Sequence, residues 1–128
     1  MPTTFNIPQF SIAQGETGSR TSPAIPSNSI GYSLLIQRVG WAFAGGDALK
    51  LSLFVSYDNK QTWIKLTEDT IQDVSSAAVI KNGVTMIPAD AEKINVSIDP
   101  VKNGFARFLR ADYEGIKAVT ISGTITAL

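Results

Sequence analysis

Leu49-Lys50-Leu51-Ser52-Leu53-Phe54-Val55 runs into Ser56-Tyr57-Asp58-Asn59-Lys60-Gln61-Thr62-Trp63 and then into Ile64-Lys65-Leu66. In an extended chain successive side chains point to opposite faces, so Leu49, Leu51, Leu53 and Val55 share one face. Asp58-Asn59 supplies turn chemistry, because short polar side chains bond nearby backbone and tolerate left-handed angles. Thr62, Trp63 and Ile64 are strand-favouring types. The stretch therefore reads as a β-hairpin.

The same two-residue repeat recurs outward in both directions. Toward the C-terminus, Val119, Ile121, Gly123, Ile125 and Ala127 alternate with Thr120, Ser122, Thr124 and Thr126. Ile94, Val96 and Ile98 alternate with Asn95 and Ser97, and Phe105 to Arg110 reads as a further strand. Lys81-Asn82-Gly83 between the apolar runs Ala77–Ile80 and Val84–Ile87 signals a second hairpin. Toward the N-terminus, Ile30 to Val39 is apolar on both faces, as a strand covered on both sides would be. Thr3 to Ile12 alternates loosely, and Pro8 confines it to a sheet edge or a break. Thr67 to Ser76 fits a short strand or a helical turn equally well. With no sustained helical period anywhere, the expected fold is all-β: a single domain over residues 1–128, an antiparallel β-sandwich of jelly-roll-like form. Residues 13–29, with Gly15, Gly18, Pro23 and Pro26 among Ser and Thr, are expected to be a long polar loop or arm. Ile25, its one strongly apolar residue, is the candidate anchor for a partner.

Composition narrows the function. The 128 residues include no histidine and no cysteine. The usual general base, the thiol nucleophile, disulfides and the commonest transition-metal ligands are therefore missing. No enzyme activity, metal or cofactor is expected. Eleven basic and eleven acidic residues cancel, so no global field favours nucleic acid or an anionic membrane. Neither a secretory leader nor a bilayer-spanning run is legible, and a soluble protein is expected. With 44% hydrophobic and 17% charged residues, the surface has little charge to oppose self-contact, and a homo-oligomer is expected.

Ser56, Asp58, Thr62 and Trp63 fall in register with Ser-x-Asp-x-Gly-x-Thr-Trp, and the segment resembles the Asp-box, with Lys60 in place of the glycine. The resemblance implies a folding element: the Asp carboxylate accepts hydrogen bonds from turn amides and the Trp packs across the hairpin. Sialidases carry that box on several propeller blades together with an arginine cluster, and one box in a chain this short excludes them.

Paired acids at Glu68-Asp69 with Asp73, Asp90 with Glu92, and Asp112 with Glu114 could act on a glycoside or hold calcium. Solvated loop residues are the favoured reading. Trp41, Phe43, Tyr57, Trp63 and Tyr113 could offer sugar-stacking rings, with Tyr57 the candidate exposed aromatic; for both tryptophans a core position is favoured. Arg38, Arg107, Arg110 and Lys117 read as outward strand positions or ion-pair partners, and Gly45-Gly46-Asp47 as a plain turn.

Taken together, the N-terminal strand, the long polar segment, Ser-x-Asp-x-x-x-Thr-Trp after a central strand and the Thr-rich last strand resemble small structural proteins of tailed bacteriophages. That resemblance implies a capsid decoration or cement protein located in the virion and assembled in the host cytoplasm. Its partner would be the major capsid protein or another virion protein. The alternative is a carbohydrate- or receptor-binding β-sandwich module.

Overall fold

The computed structural model describes residues 3–24, 32–39, 46–67, 71–72, 79–81, 84–88, 93–98 and 107–127. They form eleven strands: β1 (Thr3–Ile12), β2 (Thr17–Thr21), β3 (Tyr32–Arg38), β4 (Asp47–Ser56), β5 (Ile64–Lys65), β6 (Ile71–Gln72), β7 (Val79–Lys81), β8 (Val84–Pro88), β9 (Lys93–Ile98), β10 (Phe108–Gly115) and β11 (Val119–Ala127). No described residue is helical. The fold is an antiparallel β-sandwich, one sheet ordered β1-β11-β3-β9-β6 and the other β2-β10-β4-β8-β7, with β5 beside β4.

One rule organises the long-range pairing. In an antiparallel hairpin the numbers of facing residues have a constant sum. That sum is 130 for Thr3 with Ala127 and for Tyr32 with Ile98. It is 131 for Ile12 with Val119 and for Thr21 with Arg110, and 136 for Leu49 with Ile87. The first half of the chain thus pairs with the second half in reverse, as one long ribbon that reverses direction between β4 and β8. Winding that ribbon sends alternate segments to opposite sheets: β1·β11 and β3·β9 to one, β2·β10 and β4·β8 to the other. The ladders β11·β3 and β10·β4 then join the ribbon's turns within each sheet.

The core lies between the sheets and follows the alternation read in the sequence. Leu49, Leu51, Leu53 and Val55 of β4 are buried, and so are Leu34, Ile36, Ile87, Leu109, Val119, Ile121 and Ile125. At about 25 cal/mol per Å² of apolar surface removed from water, this layer is the main stabilising term. β3 is a central strand, between β11 and β9. Yet Leu35 and Val39 are only half-buried: the sandwich covers one face of β3, not both as its composition suggests.

Two further expectations are corrected. Within the segment expected to be loop or arm, Thr17–Thr21 is a strand, held along its whole length by β10. The pairing continues past it, since Ser22 N–H donates to the Leu109 carbonyl at 2.8 Å and Leu109 N–H to Ser22 Oγ at 2.9 Å. Ser22 is 7% exposed, so the backbone of a polar segment is satisfied by a neighbouring strand. Gly18 reads as a loop residue, but a side chain there would collide with the Tyr113 ring, which packs over it. The second correction concerns β10, which begins at Phe108 and carries Asp112 and Glu114 on a strand, where a loop was expected. Of the open segment at 67–76, Ile71–Gln72 is strand, paired with β9. Ile25, Trp41, Phe43, Glu68, Asp69, Asp73, Asp90 and Glu92 lie outside the described residues.

Candidate functional site

The outer face of the β2-β10-β4 sheet is set by register. With Leu109, Ala111 and Tyr113 turned to the core side, Arg110, Asp112 and Glu114 face outward, and β2 and β4 place residues beside each. The first row reads Thr17, Glu114, Lys50; the second Ser19, Asp112, Ser52; the third Thr21, Arg110, Phe54. The first two rows line an open groove of about 400 Å³. In the third row the Arg110 guanidinium stacks 4.2 Å from the centre of the Phe54 ring and 4.7 Å from that of Trp63. Its Nη2 donates to Asp112 Oδ2 at 3.1 Å, and its Nε lies 2.9 Å from Asp112 Oδ1. Cation–π stacking and the charge-assisted hydrogen bond from Arg110 together fix Asp112 at the groove floor.

Trp63 therefore sits half-buried on the outer face against an arginine, not in the core. The reason is parity. Ile64 faces Val55, a core-side residue, so its neighbours Trp63 and Lys65 fall on the opposite side, with Phe54.

The hairpin between β4 and β5 is held by its own side chains. Thr62 N–H donates to Asp58 Oδ1 at 2.8 Å, and Ser56 Oγ donates to the same oxygen at 2.9 Å. Lys60 N–H donates to Ser56 Oγ at 3.0 Å. Hydrogen bonds from the Thr62 side chain and backbone stabilise the carboxylate and hold the Asp58 pKa below its ordinary value. Asn59 and Lys60 adopt φ of 59° and 70°, the double left-handed turn that joins tightly twisted strands. Lys60 takes this conformation where the Asp-box pattern has glycine, and its ammonium lies 5.0 Å from the centre of the Phe108 ring. Ser56 is fully buried, and Leu66, 1% exposed, ties the returning strand into the core.

Tyr57 is 42% exposed and Ile64 50%, so the braced turn presents two large apolar side chains at one end of the sandwich. Partial burial pushes the Tyr57 phenol pKa up. The hairpin brings Ser56, Asp58 and Thr62 into one hydrogen-bonded unit, with Trp63 alongside. The groove residues Thr17, Ser19, Lys50 and Ser52 escape sequence reasoning, although the alternation of Leu109, Ala111 and Tyr113 was a signal that Asp112 and Glu114 share a strand face.

No protein-family model, curated protein or solved structure matches the chain. Fold and site define a class only: an antiparallel β-sandwich with a polar groove on one sheet and, at one end, a braced hairpin that exposes Tyr57 and Ile64.

Proposed function

We propose that the protein is a non-enzymatic virion component, a decoration or cement protein that bridges major capsid subunits, and that its strand path is a jelly roll. The observation that carries this reading is the winding. A ribbon whose first half pairs in reverse with its second, each turn placed in the opposite sheet, is the design of jelly rolls, which recur in viral capsid and lectin domains. The hairpin supplies a contact surface. Tyr57 stands on a turn fixed by Asp58 and Ser56 and Ile64 on β5, which follows it, so little loop freedom is left to lose on docking. Small contacts of this kind gain strength by repetition over a lattice and by self-association, through effective concentration rather than area.

The test is co-sedimentation of the purified protein with capsids lacking it, followed by cryo-electron microscopy. Density at joints between capsid subunits, weakened by Tyr57→Ser with Ile64→Ser, is the expected result. A monomer that sediments with no capsid and occupies no joint overturns the reading.

A further inference from the structure

The groove across β2, β10 and β4 is chemically unlike the hairpin, and its lining points to a different kind of ligand. Its floor is a grid. Going from the first row to the second moves two residues along each strand, about 7 Å, and going from strand to strand moves about 4.8 Å. Hydroxyls of Thr17, Ser19 and Ser52 surround two carboxylates, Asp112 and Glu114, with Lys50 the cross-strand neighbour of Glu114. Across each row the carboxylate thus has a hydroxyl or ammonium donor on either side. On the far side, β8 places Met86 beside Lys50 and Val84 beside Ser52, which gives the grid an apolar rim. At one end the Phe54–Arg110–Trp63 stack forms a wall.

We propose that this face binds a neutral oligosaccharide. Vicinal sugar hydroxyls both donate and accept, so they suit a floor where carboxylates sit among hydroxyls and an ammonium, while the C–H faces of a pyranose suit the Val84 and Met86 rim. The two groove rows extend about 7 Å along the strands and the three strands about 10 Å across them, which accommodates roughly one to two sugar rings. Asp112 is already oriented to accept from a sugar, because Arg110 donates to Oδ2 and lone pairs on both carboxylate oxygens remain for a ligand hydroxyl. Other ligand classes fit less well. Polyanions would meet the two carboxylates, and an apolar peptide would find no aliphatic pocket on the floor. A bare cation would find too few ligands, since no group of three or more acidic side chains forms among the described residues.

The experiment is a titration of isotope-labelled protein, followed by amide resonances, with neutral gluco-, xylo-, manno- and galacto-oligosaccharides of increasing length; polyphosphate serves as the anionic comparison. The expected result is saturable shifts at Thr17–Ser19, Lys50–Ser52 and Asp112–Glu114 with at least one neutral series, and affinity rising with length up to about two rings. Glu114→Gln and Ser52→Val should each lower that affinity about tenfold or more, as loss of a hydrogen bond involving a charged group does. Amide spectra that match the parent protein away from the groove separate loss of binding from loss of fold. Three results overturn the proposal: no shifts at millimolar sugar in any series, shifts confined to the hairpin or the sandwich ends, or binding by polyphosphate alone. Capsid binding through Tyr57 and Ile64 is a separate measurement, so either reading can fail without the other.

Discussion

The hairpin at Ser56–Leu66 and the strand β2 at Thr17–Thr21 are both short polar segments, yet they are built on opposite principles. In the hairpin, Ser56 and Asp58 satisfy the turn amides from within four residues of chain. In β2 nearly every backbone bond is to β10, some ninety residues away in sequence. One element carries its partners with it; the other borrows them. The first leaves a residue pattern, Ser-x-Asp-x-x-x-Thr-Trp, and the second leaves almost none. A strand recruited at a sheet edge needs only extended backbone and the absence of clashes, which Thr, Gly, Ser and Arg supply as readily as a loop does.

The contrast would break first at Leu66. If the hairpin were self-sufficient, its anchor in the core would matter little; because Leu66 is buried and its N–H donates to the Leu53 carbonyl at 2.9 Å, Leu66→Ala should cost about 2 to 5 kcal/mol in denaturant unfolding. A loss below 1 kcal/mol would show the hairpin to be energetically separate from the sandwich.

Next comes the borrowed strand. Ser22→Ala leaves the Leu109 N–H buried without its acceptor, so about 1 to 3 kcal/mol should be lost. Hydrogen exchange should accelerate through Thr17–Ser22 ahead of the hairpin. Equal acceleration in both regions would mean that they open as one unit.

Within the hairpin, Lys60→Gly should be stabilising by about 1 kcal/mol, because a φ of 70° strains a side chain and not a glycine. Loss of the contact with the Phe108 ring offsets up to about 0.5 kcal/mol of that gain. Thermal unfolding should shift upward by a few degrees. An unchanged or lower midpoint would show that the ring contact outweighs the backbone strain.

The smallest effect is pH dependence. Asp58 has a folded pKa below its unfolded value near 3.8, so its contribution is present above that pH and is lost as pH falls through the still lower folded value. Asp58→Asn should remove that part of the acid limb while leaving the rest of the curve unchanged. An acid limb identical to that of the parent protein would dismiss the Asp58 carboxylate as the source.

Much of the architecture was legible because burial enforces alternation. Leu49 to Val55 and Val119 to Ile125 each place one face in the core, and a slip of one residue would turn that face to water. The Pro8 reading of β1 as an edge or broken strand and the Lys81-to-Val84 reading of a hairpin rest on equally local chemistry, and the topology agrees with both. Asp112 and Glu114 show where such reading stops. Most of their strand is half-buried, with polar residues at its outward positions, so the pattern resembles a loop until Leu109 and Tyr113 are seen to face the core. Trp63 shows the same limit in reverse: a large aromatic is most often buried, but one residue of hairpin register put it outside.

By itself, the sequence determined what is local: strand type from two-residue periodicity and the braced turn from Ser56, Asp58 and Thr62. Tertiary structure alone decided what depends on distant register. The pairing of the first half of the chain with the second in reverse, the recruitment of β2, and the gathering of Thr17, Ser19, Lys50, Ser52, Asp112 and Glu114 on one face all follow from which strands lie side by side. Backbone ladders can form between any extended segments, so the partner is chosen only when the whole core closes.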